Sequence, residues 1–118
     1  MKLASATLCT AKGAAALPAK ISLDPKAETA TLSFARTISP GAYRLAIRYS
    51  GEIHTQANGL FALDYKNAEG KNARSLFTQF EAADARRFFP GWDEPDYKAR
   101  FDLTARVPAG TMAVGNMS

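Results

Sequence analysis

Apolar and polar residues alternate with a period of two through most of this chain, and this periodicity limits its fold more than any other feature. In "AYRLAIRYSG" (42–51), Tyr43, Leu45, Ile47 and Tyr49 alternate with residues that include two arginines. Successive side chains of a β-strand point to opposite faces, so this stretch packs one face and exposes its cations to water. The pattern predicts an antiparallel β-strand.

Similar alternation recurs in further segments along the chain. They are "KLASATL" (2–8), "AKISLD" (19–24), "TATLSFAR" (29–36), "LFALDYKN" (60–67), "RSLFTQF" (74–80), "YKARFDLTARVPAG" (97–110) and the beginning of "TMAVGNMS" (111–118). Turn dipeptides separate them, among them Asp24-Pro25 and Asn58-Gly59. The first of these predicts a hairpin around residues 24–28.

One segment does not fit the strand pattern. "EAADARRFF" (81–89) has the composition of one or two helical turns, and Pro90-Gly91 closes it. We therefore predict an all-β, antiparallel architecture with one short helical insertion near residues 81–89.

Length and charge narrow the classes of protein. The chain has 118 residues, 47% hydrophobic and 22% charged, which suits one globular domain. Lysine and arginine exceed aspartate and glutamate by 15 to 11, but the cations are spread along the chain. Nucleic-acid-binding proteins usually cluster their positive charge. We therefore expect no nucleic-acid partner.

The N-terminal region favours a strand over a signal peptide. In "MKLASATLCTAKGAAALPAKI" (1–21), Ser5, Thr7 and Thr10 interrupt the apolar stretch, and Lys12 follows where a cleavage region is neutral. No segment approaches the ~18 consecutive apolar residues of a membrane-spanning helix. We expect no membrane span.

Metal ligands are scarce in this sequence. Cys9 is the single cysteine and His54 the single histidine, so neither an internal disulfide nor a cysteine-based zinc site can form. A single histidine among Ser, Gly and Thr is ordinarily a solvated turn residue. We predict no metal site in the chain.

Charged and aromatic residues are most concentrated in "TQFEAADARRFFPGWDEP" (78–95). Glu81 and Asp84 would share one face of a helical turn, and with Arg86 and Arg87 they are typical of an ion-paired turn that holds a loop against a sheet. Paired carboxylates also serve glycosidases as acid and base, but no second feature indicates a sugar-binding cleft.

The "WDEP" tetrapeptide ends this region. Trp92 is expected to fill a core, Asp93 or Glu94 to cap backbone donors, and Pro95 to end the turn.

The longer stretch "LFTQFEAADARRFFPGWDEPDYKARFDLTARVP" (76–108) resembles the signature block of the N-terminal domain of the aminopeptidase N family, the gluzincin zinc aminopeptidases. "YSGEIHTQANGLFALDY" (49–65) and "MAVGNMS" (112–118) are similar to the family's flanking sequence. The chain departs from the family at Gly91, where relatives often carry Cys, and at Gly115-Asn116, where Ser-Asn is more frequent.

This resemblance implies that residues 1–118 form a single domain, part of the saddle-like N-terminal β-sandwich of a longer aminopeptidase. The parent would remove N-terminal amino acids from peptides, with zinc held by H-E-x-x-H and a distant Glu. That motif does not occur here, so the implied zinc ligands lie outside the chain. We expect the chain alone to bind no zinc and to be inactive. Its implied partners are the peptide substrate and the catalytic domain of the same parent.

The resemblance also implies particular site residues. The family's T-Q-x-E stretch corresponds to residues 78–81, where its Glu, here Glu81, holds the substrate's free α-ammonium. Gln79 corresponds to a side chain that borders the first substrate pocket. The loop that aims both would be supported by Asp84, Arg86, Trp92, Asp93, Glu94 and Pro95.

Two alternatives remain open from the sequence. One is a non-catalytic β-sandwich module that binds a protein or a glycan. The other is a homologue whose parent has lost its zinc ligands. An intact H-E-x-x-H further along the parent sequence would favour the peptidase over both, because that helical motif places two imidazoles on one face.

Overall fold

A computed structural model describes residues 1–10, 16–94 and 96–115. The elements in these stretches are β1 (Lys2–Thr10), β2 (Leu17–Asp24), β3 (Thr29–Phe34), β4 (Tyr43–Ser50), β5 (Gly59–Lys66), β6 (Asn72–Gln79) and a 3-10 helix (Ala85–Arg87). All the strand pairs are antiparallel. The predicted all-β antiparallel architecture is confirmed, and the helical insertion is a single 3-10 turn. Within these stretches, no helix has the length and apolarity that crossing a membrane requires.

The first sheet has the strand order β3-β2-β1-β4. The N-terminal strand β1 is therefore internal, with β2 on one side and β4 on the other. Its ladder with β4 runs from Lys2 opposite Ser50 to Thr10 opposite Tyr43, with one irregularity between Leu3 and Ser5. The β4 strand buries Leu45 and Ile47 more than the flanking Arg44 and Arg48, as the alternation predicts.

The hairpin between β2 and β3 confirms the turn predicted at residues 24–28. Asp24 stands opposite Thr29, and the Asp24 Oδ1 accepts the backbone N–H groups of Lys26 at 2.9 Å and Ala27 at 3.0 Å. This is an Asx turn, in which the side chain satisfies backbone donors that no strand partner reaches. Glu28 completes the turn with a positive φ of 54°.

The second sheet is the hairpin of β5 and β6, in which Gly59 stands opposite Gln79 and Lys66 opposite Asn72. Phe61 and Phe77 lie opposite each other, with ring centroids 6.0 Å apart. The segment before β5 also contacts the hairpin, because the His54 carbonyl oxygen accepts the N–H of Ala62 at 2.8 Å.

An ion pair crosses the exposed side of this hairpin. Arg74 Nε and Nη2 donate to the two carboxylate oxygens of Asp64 at 2.6 and 2.7 Å. This hydrogen bonding lowers the pKa of the Asp64 carboxyl and raises the pKa of the Arg74 guanidinium. The paired charges belong to facing positions of the ladder, so they favour this register.

The buried core of the described chain is small. Its buried hydrophobic residues are Ala6, 2% exposed, and Ala62, 4% exposed. The accessible surface is 10410 Å², against about 6,200 Å² for a compact monomer of this mass. The radius of gyration is 17.7 Å, against about 13.5 Å for a compact domain of this length. The two sheets therefore leave large faces open.

The strand predicted over residues 97–110 is wrong. The structure has no strand there or over residues 111–115, and residues 116–118 lie outside the described part. Phe101 and Leu103 are 63% and 75% exposed. A strand requires a neighbouring backbone for its ladder, and no strand of the described chain pairs with this segment.

Candidate functional site

The two residues predicted to contact substrate lie at one end of the β5–β6 hairpin. β6 ends at Gln79, and the chain leaves the sheet through Phe80 and Glu81. Gln79 and Glu81 are both exposed. The peptide bond between Glu81 and Ala82 is cis.

The turn that follows is closed by its own hydrogen bonds. The N–H of Asp84 donates to the Phe80 carbonyl oxygen at 3.0 Å, and the N–H of Arg87 donates to the Asp84 carbonyl oxygen at 3.0 Å. Arg87 Nε also donates to Asp84 Oδ1 at 2.7 Å. Asp84 therefore links the end of β6 to the 3-10 helix through both its backbone and its side chain.

Arg86 connects three separate segments. Its backbone N–H and its Nε donate to Asp93 Oδ2 at 3.0 and 3.1 Å. Its Nη1 lies 3.6 Å from Glu28 Oε2 in the β2–β3 turn. The hydrogen bond to Asp93 raises the pKa of Arg86, and the charges of Asp93, Glu28 and Glu94 act in the same direction. The 3-10 helix is thus attached both to the first sheet and to the segment that follows it.

Four phenylalanines pack around the same turn. The rings of Phe80 and Phe88 stack at 5.6 Å, and Phe89 meets both edge-on at 6.4 and 6.0 Å. Phe101 joins them with its ring 5.9 Å from that of Phe89. Aromatic pairs in these orientations stabilise beyond their buried area. They support the turn in a chain that has little other core.

The acidic side chains of this region differ in their engagement. Asp84 and Asp93 are each held by an arginine, and the Asp93 side chain is only 13% exposed. Within the three described stretches, no hydrogen bond or ion pair engages the Glu81 carboxylate. The arrangement therefore leaves the Glu81 carboxylate unpaired at the end of the hairpin, whereas Asp84 and Asp93 are engaged by arginines.

Trp92, Glu94 and Pro95 are the other residues predicted to support the loop. Trp92 was expected to fill a core, and this expectation is wrong because 78% of its surface is exposed. The buried hydrophobic residues of the described chain are Ala6 and Ala62, so no large buried core encloses the indole. The Glu94 carbonyl oxygen accepts the N–H of Tyr97 at 3.0 Å. Pro95 lies outside the described residues.

The sequence interpretation missed one residue of this site, Gly59. It was assigned only to a turn, on the basis of the Asn58-Gly59 dipeptide. In the structure Gly59 begins β5, is buried and has a positive φ of 63°. A Cβ at this position would lie 2.7 Å from the Cβ of Arg87. The dipeptide indicated the unusual backbone angle but not the neighbour.

The described residues contain no group of three His, Cys, Asp or Glu side chains that could hold a metal ion. Cys9 is a free, partly exposed thiol in β1. Zinc sites use three or four such side chains in tetrahedral geometry. The described residues therefore do not assemble a metal centre of that kind.

The fold and the site define an antiparallel β domain that presents acidic and amide side chains at a hairpin end. The family model of the peptidase M1 N-terminal domain matches residues 1–118. The chain belongs to this family, and the resemblance drawn from residues 76–108 is confirmed.

The chain is also similar to proteins that are named aminopeptidases. The chain is 52% identical over 99 residues to aminopeptidase N of Acetobacter pasteurianus, which covers 84% of this chain and 28% of the relative. It is 40% identical over 100 residues to aminopeptidase M1-D of Oryza sativa subsp. japonica, and the match covers 85% of this chain and 11% of the relative. It is 34% identical over 114 residues to the puromycin-sensitive aminopeptidase of Caenorhabditis elegans, covering 97% and 12%. The chain thus spans less than a third of each of these relatives.

Proposed function

We propose that this chain is part of the N-terminal β domain of a longer zinc-dependent aminopeptidase, in which it recognises the free α-amino group of the peptide substrate. Glu81 binds the ammonium, and Gln79 borders the pocket for the first side chain. The observation that carries the proposal is the unpaired Glu81 carboxylate at the end of β6, beside Asp84 and Asp93, which are both engaged by arginines. Family membership and the aminopeptidase names of the relatives supply the context.

A carboxylate in this role provides selectivity as well as affinity. A hydrogen bond between an ammonium and a carboxylate is charge-assisted and stronger than a neutral one. An internal peptide bond has no such cation, so a site that holds the ammonium rejects internal segments of a chain. The carboxylate is therefore the group that distinguishes an N-terminus from the middle of a peptide.

Zinc belongs to the parent enzyme in this proposal, and its ligands lie outside these 118 residues. There it would activate the water that attacks the peptide bond. The chain by itself is expected to bind no stoichiometric zinc and to cleave no aminoacyl substrate. Equilibrium dialysis against zinc followed by metal analysis tests this, and one tightly held zinc per chain would contradict it.

The role of Glu81 is tested by Glu81→Gln in the full-length protein. The substitution keeps the shape of the side chain and removes its charge. A hydrogen bond to a charged group contributes about 1.5–3 kcal/mol, so kcat/KM for a free-amine peptide should fall about 10- to 150-fold. Glu69→Gln is the matched control, because Glu69 is an exposed acid in the β5–β6 turn whose carboxylate has no ion pair in the described chain.

The informative comparison is between a free-amine peptide and its N-acetylated counterpart. The unmodified enzyme should prefer the free amine strongly, and Glu81→Gln should lose much of that preference while Glu69→Gln keeps it. A folded Glu81→Gln variant with undiminished preference would refute the assignment.

A further inference from the structure

Gly59 lies where the β5–β6 hairpin meets the 3-10 helix. It is the first residue of β5 and stands opposite Gln79, the last residue of β6. An ideal Cβ on Gly59 would be 2.7 Å from the Cβ of Arg87 and 3.5 Å from the carbonyl oxygen of Asp84. Real Cβ atoms do not approach other carbons at 2.7 Å, so the 3-10 helix occupies space that only a glycine leaves free.

We propose that Gly59 is a positioning residue for the loop that carries Glu81, because its missing side chain lets the 3-10 helix Ala85–Arg87 close against the start of β5. The effect on substrate rests on the proposed function of Glu81. The effect on the loop does not rest on that function. Hydrogen exchange measures the effect on the loop, and kinetics measure the effect on substrate.

The geometry explains why a side chain at this position would have to move the loop. The Cβ of Arg87 is fixed to the backbone, so no rotation about the χ angles of Arg87 relieves the contact. The 3-10 helix must shift instead. That helix is joined to the end of β6 through Asp84, whose N–H donates to the Phe80 carbonyl oxygen. A displacement at Arg87 therefore reaches the residues on either side of Glu81.

The positive φ of Gly59 is a separate cause of destabilisation that a control must remove. Gly70, in the turn at the other end of the hairpin, has a φ of 72° and no atom within 4 Å of its ideal Cβ. Gly59→Ala and Gly70→Ala therefore both place an alanine at a positive φ, and only the first carries the contact with Arg87. The difference between the two variants measures that contact.

The contact is tested by hydrogen exchange in the full-length protein, read at the amides of Asp84, Arg87 and Phe88. Overpacking of a close contact should accelerate their exchange about 5- to 100-fold in Gly59→Ala, and Gly70→Ala should leave these amides unchanged. Equal exchange in the two variants would overturn the proposal.

A second comparison identifies the atom involved. Arg87→Gly removes the Cβ that Gly59→Ala would meet, whereas Arg87→Ala keeps it, and both lose the pair with Asp84. Adding Gly59→Ala should therefore accelerate exchange in the Arg87→Ala background and have much less effect in the Arg87→Gly background. The same acceleration in both backgrounds would show that the contact is not the cause.

Kinetics then connect the loop to the substrate. Gly59→Ala should lower kcat/KM for a free-amine peptide about 10- to 100-fold, since small misplacements of binding groups have effects of this size, and Gly70→Ala should not. Adding Gly59→Ala to Glu81→Gln should cause little further loss of free-amine preference. If exchange responds to Gly59→Ala but Glu81→Gln keeps full preference, the positioning of the loop is supported and the function proposed for Glu81 is refuted.

Discussion

Arg86 donates two hydrogen bonds to a single oxygen of Asp93, one from its backbone N–H and one from its Nε, at 3.0 and 3.1 Å. One carboxylate oxygen of Asp93 thus accepts both from the backbone and from the side chain of Arg86, a residue of the 3-10 helix seven positions earlier in the sequence. Arg86 also lies 3.6 Å from Glu28 in the β2–β3 turn. The loop that carries Glu81 is therefore attached both to that turn and to the segment around Asp93.

Asp93→Ala should lower the melting temperature by about 5 °C, because it leaves the backbone N–H and the Nε of Arg86 without their acceptor. Asp93→Asn should be milder, since the amide oxygen can still accept the N–H of Arg86. Asp102→Ala, at an exposed position with no ion pair in the described residues, is the control. Thermal denaturation checks the order, and equal melting temperatures for Asp93→Ala and Asp102→Ala would contradict it.

Gln79→Ala should change the preference for the substrate's first side chain and leave the requirement for a free amine intact. A pocket wall discriminates by contact with the side chain, and one such contact alters ratios of kcat/KM by about tenfold. A panel of aminoacyl substrates in the full-length protein measures it. Asn72→Ala, at the opposite end of β6, is the control. If Gln79→Ala changed kcat/KM by the same factor for every substrate, Gln79 would not line the pocket.

The pair of Asp64 and Arg74 should make the hairpin sensitive to acid. The pKa of the Asp64 carboxyl is lowered in the folded chain, so its contribution to stability is present above the ordinary Asp pKa of about 3.9. It is lost as the pH falls through the lowered folded pKa. NMR titration should show Asp64 titrating below the ordinary Asp range, and Arg74→Gln should return Asp64 to that range. An Asp64 pKa unchanged by Arg74→Gln would contradict the ion pair.

The open apolar faces of the isolated chain should be measurable. Trp92 is the single tryptophan of the chain and is 78% exposed, so its fluorescence should be red-shifted and readily quenched by acrylamide. The half-exposed Leu63, Tyr65, Leu76 and Phe77 of the hairpin should bind a hydrophobic dye or cause association at high concentration. A dye-silent monomer with blue-shifted emission would show that these faces are covered within the chain.

The elements predicted correctly from sequence are those whose determinants are local. The turn after Asp24 was predicted because Asp-Pro has its own backbone preference, and the Asx hydrogen bonds lie within three residues. Residues 97–110 show as clear an alternation but form no strand. Alternation indicates which side chains would share a face, whereas a strand also requires a partner backbone, which no local pattern reports.

The candidate site divides in the same way. Gln79 and Glu81 are predicted from a short linear stretch that resembles a known family, and their contact with substrate stays a prediction. The contact of Gly59 with Arg87 and the reach of Arg86 to Glu28 join residues distant in sequence. Both depend on how the hairpin, the helix and the first sheet are placed in space, so composition and spacing could not reveal them. Trp92 shows that composition can also mislead. Its apolar character predicts burial, but the side chain is exposed in the structure.

Because β1 lies inside the first sheet, its two neighbouring strands must pair with it at different times while the chain is being synthesised. Strand β1 leaves the exit tunnel before β2 and can pair with it soon afterwards, and the β2–β3 hairpin closes locally within microseconds. The longer ladder of β1, from Lys2 opposite Ser50 to Thr10 opposite Tyr43, cannot form until β4 has left the exit tunnel. At about 5–20 residues per second, this strand spends seconds with one edge unpaired. Until β4 is available, this open edge leaves the nascent chain exposed to chaperones and to wrong pairing.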